Sequence, residues 1–156
     1  MRSLDTLEIP PVCRILLLDG LQDPGNVGTI VRTAAALGAT ATVALPGTVD
    51  LWNPKVIRSS MGAQFFHSAF HASLDDVLSF LAQKKVNIWA TAPDGAPLAR
   101  ADAPASLAIA VGNEGAGLSP QIRAKAARTV SLPISGGVES LNVAVATGII
   151  LYELRS

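Results

Sequence analysis

Residues able to do chemistry gather in three polar, glycine-containing segments of this 156-residue chain. The first, Leu18-Asp-Gly-Leu-Gln-Asp-Pro-Gly-Asn-Val-Gly-Thr-Ile-Val-Arg-Thr33, offers an amide at Asn26 and a guanidinium at Arg32. Arg32 follows Gly28 by one helical turn, a spacing that leaves the face beside the guanidinium open to a ligand. The same residues read equally as a helix cap and a solvated charge. The second, Gly112-Asn-Glu-Gly-Ala-Gly-Leu118, follows an apolar run, and its glycines let a flat ligand approach the backbone. Glu114 there reads as an organiser of backbone amides before it reads as a base. The third, Leu132-Pro-Ile-Ser-Gly-Gly-Val-Glu-Ser-Leu-Asn-Val-Ala-Val-Ala146, puts Ser140 at a natural helix N-cap and Asn142 in the first turn. The small apolar residues that follow read as core or subunit interface.

Several other chemistries are set aside by spacing. The glycines at 112, 115 and 117 run in the wrong order for a dinucleotide fingerprint, so a nicotinamide-dependent dehydrogenase is not expected, and no phosphate-binding P-loop occurs. His67 and His71 have the separation of a helical metal pair, but their segment reads as strand running into loop with no acidic partner in register, so no metal site is expected. No nucleophile elbow is present. The single cysteine, Cys13, has no partner for a disulfide and no Cys/His cluster for zinc, and reads as a buried structural thiol.

The elements that must position these segments alternate between strand and helix, the pattern of a parallel sheet flanked by helices in one α/β domain over residues 1–156. Strands are predicted at 14–18, 40–45, 64–70, 86–92, 107–111 and 129–133. Helices are predicted at 26–37, from Asn53-Pro54, at 73–85 behind a Ser73/Asp76 capping signature, at 119–127, and at 141–155. Residues 93–106, rich in Pro, Gly and Ala, read as a surface connection. The three polar segments then follow three strands, where open parallel sheets bind ligands.

Composition sets limits. The chain is 49% hydrophobic and 15% charged, with apolar runs too short to span a bilayer and an N-terminus lacking a signal-peptide core; a soluble, cytoplasmic protein without membrane contact is expected. Twelve Lys+Arg balance twelve Asp+Glu, so no global positive field draws in nucleic acid, although Arg32, Lys55 and Arg58 are close enough to share a face. Aromatic residues are only 4%, too few for a base-stacking platform, so any RNA contact is expected to run through phosphate and ribose.

Together and in this order, the three segments resemble motifs one, two and three of the SpoU (TrmH-like) branch of the SPOUT RNA 2′-O-ribose methyltransferases, from about Pro11 to the C-terminus. The resemblance implies a parallel α/β sheet with a C-terminal deep trefoil knot, a homodimer, and S-adenosylmethionine as cofactor. It implies 2′-O-methylation of a ribose in structured RNA, ribosomal or transfer RNA. A knotted RNA-binding module without methyl transfer is the alternative, disfavoured by an intact motif set. Carried onto this chain, the catalytic group is Arg32, Asn26, Glu114, Ser140 and Asn142. Cofactor contacts fall near Gly112, Asn113, Leu132, Ile134 and Leu141, largely through main chain. Many relatives carry an additional N-terminal substrate-binding domain. Here motif one begins within the first two dozen residues, as in a natural minimal enzyme or an excised catalytic domain; the wording of motif three, closer to rRNA and TrmH-type members than to minimal tRNA wobble-position enzymes, favours an excised or truncated domain.

Overall fold

The computed structural model describes residues 2–156. Its frame is a six-stranded sheet, every pair parallel, built from β1 (Cys13–Asp19), β2 (Ala41–Ala44), β3 (Ala69–His71), β4 (Asn87–Pro97), β5 (Ser106–Gly112) and β6 (Arg128–Ser131). Helices α1 (Pro24–Ala36), α2 (Pro54–Ser59), α3 (Leu74–Gln83), α4 (Pro120–Lys125) and α5 (Val143–Leu154) cover it. The spatial order is β3-β2-β1-β5-β4-β6. The chain winds outward from β1 through β3, then crosses to fill the other side.

Strand alternation sorts the apolar residues into two cores. Leu16 and Leu18 of β1 join Leu107, Ile109 and Val111 of β5 on one face, beneath Val27, Ile30, Val31 and Ala34 of α1 and Ile150, Leu151 and Leu154 of α5. Ile15 and Leu17 point the other way with Ala108 and Ala110, beneath Val77 and Leu81 of α3 and Ile122 of α4. Two-sided burial explains why β1 and β5 read as unbroken apolar runs rather than alternating ones. The end of α5 is tied to the sheet by Arg14, whose Nε donates to the Leu154 carbonyl at 2.6 Å while its Nη1 donates to the carbonyls of Pro104 and Ala105. A cation is well matched to a helix C-terminus.

Several boundaries differ from the sequence reading. Residues 64–70 do not form one strand: a 3₁₀ turn, Ala63–Phe65, leads into the three-residue β3. β4 runs on to Pro97, with Thr91 and Ala96 both paired to Val130, so the intervening residues loop out and part of the expected surface connection belongs to the sheet. α4 ends at Lys125, short of 127. Asp23, not Asn26, caps α1, accepting the Asn26 N–H at 2.9 Å ahead of Pro24. Asn142, not Ser140, caps α5. The histidines are occupied separately. His67 Nε2 lies 2.9 Å from Thr42 Oγ1, and burial, with Arg2 nearby, lowers its pKa to about 4, so it is neutral at neutral pH. His71 Nε2 accepts the Leu51 N–H at 3.0 Å.

Gly28 does not open a ligand face. It is fully buried where α1 crosses α2, and a Cβ there would lie 1.8 Å from Ser59 Oγ and 2.5 Å from the Val56 carbonyl oxygen. Alanine ordinarily favours a helix over glycine by about 1 kcal/mol, but here the backbone of α2 would have to move. Gly28→Ala is therefore expected to destabilise the fold by about 1–3 kcal/mol, read as a lower urea midpoint at unchanged slope. An unchanged or raised midpoint contradicts the close helix crossing.

Candidate active site

The site lies where the strand order reverses. β1 and β5 pair in register to their last residues, Asp19 opposite Gly112, so the loops leaving them start side by side. Two bonds lock these loops together: Asp19 Oδ2 accepts the Ser119 N–H at 2.7 Å, and Asn113 Nδ2 donates to the Gly20 carbonyl at 2.8 Å. Asn113 Oδ1 accepts the N–H groups of Gly115 and Ala116 at 2.8 and 2.9 Å. The organiser of backbone amides is thus Asn113, a role the sequence reading gave to Glu114. Gly112 is glycine because the loop folds back on it: a Cβ would sit 2.5 Å from the backbone of Gly117 and Leu118.

The third segment arrives from the sheet edge. After β6 the chain returns over the strand ends, and Asn142 reaches Asn26, Nδ2 donating to the Asn26 Oδ1 at 3.1 Å. Asn26 Nδ2 in turn donates to Glu114 Oε1 at 3.3 Å. Asn142 Oδ1 meanwhile accepts the Ala144 and Val145 N–H groups at 2.8 and 3.2 Å, closing the start of α5. One file of side chains therefore joins all three segments, with the Glu114 carboxylate beside the first turn of α1, where the helix dipole favours negative charge.

Of the ten residues singled out from sequence, Asn26, Glu114 and Asn142 form this bonded group. Ser140 is exposed, two residues ahead of the cap. Arg32 is exposed further along α1 and lies outside the group; the ion pairs among the described residues are His71–Asp50, Arg123–Asp94 and Arg128–Asp102. Leu132, Ile134 and Leu141 line one recess of about 270 Å³, together with Leu98, Pro133, Ile149 and the carboxylate of Glu153. Gly112 and Asn113 belong to the neighbouring loop and do not line that recess. Sequence reasoning missed Asp19, Leu98 and Glu153. An aspartate closing an apolar strand was a usable signal for the first, whereas Leu98 and Glu153 enter only through the return of the chain.

Such a recess suits a flat, mainly apolar group with polar edges. Five aliphatic side chains, Leu98, Leu132, Ile134, Leu141 and Ile149, form its walls, and apart from a turn at Gly136–Gly137 the main chain of 133–141 lies outside helix and strand, leaving N–H and C=O groups available. Beside it, α1 and α5 flank an open groove of about 680 Å³ that includes Asn26 and Asn142 at one end and Val145, Ile149 and Tyr152 along its apolar side.

Comparison with known proteins gives a consistent picture. Residues 14–152 match the model of the SpoU rRNA Methylase family. The chain is 41% identical over 143 residues to the 23S rRNA (guanosine(2553)-2'-O)-methyltransferase RlmP of Bacillus subtilis, covering 91% of this chain and 58% of that protein. It is 37% identical over 152 residues to the 23S rRNA (guanosine-2'-O-)-methyltransferase RlmB of Ralstonia nicotianae, covering 96% and 60%. Among solved structures, the SpoU methyltransferase AviRb from Streptomyces viridochromogenes in complex with AdoMet superposes with a TM-score of 0.91 at 31% identity, over 99% of this chain and 61% of that one. The chain thus spans about three fifths of the length of these relatives.

Asn26→Ala removes both links of the file while sparing the Asp23 cap. Two partly exposed bonds are worth little globally, but exchange of the Ala144 and Val145 amides, whose N–H groups Asn142 Oδ1 accepts, should accelerate roughly tenfold, read by hydrogen–deuterium exchange. Unchanged exchange at those amides contradicts the idea that Asn26 holds Asn142.

Proposed function

Because the chain belongs to the SpoU rRNA methylase family, we propose that it is an S-adenosylmethionine-dependent enzyme that methylates a ribose 2′-hydroxyl in structured RNA, ribosomal or transfer RNA. The observation that carries this reading is the hydrogen-bonded file Asn142–Asn26–Glu114, which ties the apolar recess to the first turn of α1. Leu132, Ile134 and Leu141 hold the cofactor's flat base, with main-chain groups of 133–141 and the neighbouring Gly112–Asn113 turn supplying polar contacts. When bound, the cofactor supplies a sulfonium methyl, already activated for displacement.

The chain's own residues then have a limited task. The ribose hydroxyl would have to be held facing the methyl donor and its proton released to water. Arg32, with its planar donor fork, orients the ribose and stabilises the developing oxyanion. Asn26, Glu114 and Asn142 keep the two C-terminal loops and α1 at working distance, with Ser140 exposed beside them for contact with substrate.

Three further features belong to the same reading. The return of the chain from edge strand β6 to Asn142, with α5 lying against α1, supports a C-terminal trefoil knot over this segment. The groove between α1 and α5 leaves Val145, Ile149 and Tyr152 half in solvent (53, 41 and 53% exposed), an apolar strip suited to a second copy and hence to a homodimer. No described helix is long and apolar enough to cross a membrane, in keeping with a cytoplasmic site of action on RNA.

Arg32→Ala should slow single-turnover methylation of the RNA substrate by about 10²–10³ or more while leaving S-adenosylhomocysteine affinity unchanged by calorimetry, and Arg32→Lys should fail similarly. Wild-type turnover in either variant removes Arg32 from the chemistry; lost cofactor affinity moves it into the cofactor site. Light scattering should give twice the chain mass for the wild type and the single-chain mass for Ile149→Lys. A wild-type monomer at micromolar concentration contradicts the dimer.

A further inference from the structure

Seven aromatic residues are few for a chain of this length, yet the fold brings three of them to one surface. Trp52, Phe65 and Phe66 are 56, 63 and 71% exposed, at the two ends of the segment formed by α2 and the Ala63–Phe65 turn. The rings of Trp52 and Phe65 stand 6.1 Å apart and tilted by 58°. Large rings are left in water at a cost of apolar exposure, and a contiguous group of them marks a contact surface. Lys55 and Arg58, both exposed, sit one turn apart on α2, which lies between Trp52 and Phe65 in the sequence. The nearby acidic group, Asp50, is exposed but engaged, accepting the main-chain N–H of Trp52 at 3.0 Å and lying 3.5 Å from His71 Nε2.

The surface is braced from beneath. The Arg2 guanidinium donates to the carbonyls of Gln64, Phe65 and His67, holding the turn that carries the two phenylalanines. Its position relative to α1 is fixed by the Gly28 crossing, where α1 rests on Val56 and Ser59 of α2. Arg32 lies one turn beyond Gly28 on the same side of α1.

Resting on the RNA methylation reading above, we infer that the Trp52–Phe65–Phe66 surface is a stacking platform for unpaired nucleotides of the RNA substrate, with Lys55 and Arg58 on the adjoining phosphates. Exposed rings with cations on the adjoining helix suit bases with their phosphates, whereas an apolar protein partner would leave both cations without partners. A nucleotide stacked here adjoins the ribose presented to Arg32. The platform therefore selects a target in a loop or bulge over one within a continuous duplex, whose bases are stacked away from protein side chains. The sequence reading expected RNA contact through phosphate and ribose on the strength of the low aromatic content; the exposure of Trp52, Phe65 and Phe66 is what points to stacking in addition.

Trp52 is exposed and Trp89 buried at 3%, so indole fluorescence reports on the platform directly. A short oligoadenylate should quench the emission of the wild-type protein, and Trp52→Phe should lose the quench while retaining affinity. Phe65→Ala and Phe66→Ala should each weaken oligoadenylate binding about tenfold. Lys55→Ala and Arg58→Ala should each reduce the salt dependence of log affinity by about 0.7. S-adenosylhomocysteine affinity should be unchanged in all of them, showing that the variants are folded. Phenylalanine variants that bind like wild type overturn the platform. So does quenching by heparin, which has no bases, equal to that by oligoadenylate, or a concentration-dependent change in emission without RNA, which assigns the surface to a second copy. Oligoadenylate binding with the expected losses, in a wild-type protein that transfers no methyl group, upholds the platform while removing the catalytic reading.

Discussion

Everything at the candidate site depends on one amide side chain meeting two others that are remote in sequence. Asn26 donates to Glu114 and accepts from Asn142, across 88 and 116 residues of chain. Neither bond is buried, and in water each is worth on the order of 1 kcal/mol. Their value is geometric. They form only because β1 and β5 are neighbours whose ends are level, and because the chain returns from β6 to begin α5 against α1. The sheet and its two cores supply the stability; the amide file selects one arrangement of three loops.

The same division of labour recurs at the glycines. Gly112 admits its own loop backbone, and Gly28 admits α2. Both are requirements of packing rather than openings for a ligand. What they achieve is indirect: the first fixes a tight loop after β5, and the second sets how closely α2, with Lys55 and Arg58, lies against α1.

Much of the fold was legible because parallel strands buried on both faces leave unbroken apolar runs, as in Ile15–Leu18 and Leu107–Val111, and because Gly38 and the Pro-led helix starts punctuate the chain. The motif residues were legible through resemblance, and the structure joins Asn26, Glu114 and Asn142 accordingly. Cap assignment went astray at both critical helices, since Asn26 and Ser140 are good capping types but Asp23 before Pro24 and Asn142 itself were better placed to accept N–H groups. The extension of β4 past a Pro/Gly-rich stretch was hidden because its partner, β6, lies some forty residues on, and propensity does not register such pairings. The aromatic surface was hidden for the same reason: composition counts rings, whereas tertiary structure decides which of them share a face.

A crystal structure of the protein grown with S-adenosylhomocysteine tests the central claim most directly. The account predicts the ligand's base against Leu132, Ile134 and Leu141, its main-chain contacts drawn from 133–141 and the Gly112–Asn113 turn, and the Asn142–Asn26–Glu114 file intact beside its sulfur. A ligand bound elsewhere, or one whose binding requires Asn26 to release Asn142 or Glu114, would contradict it.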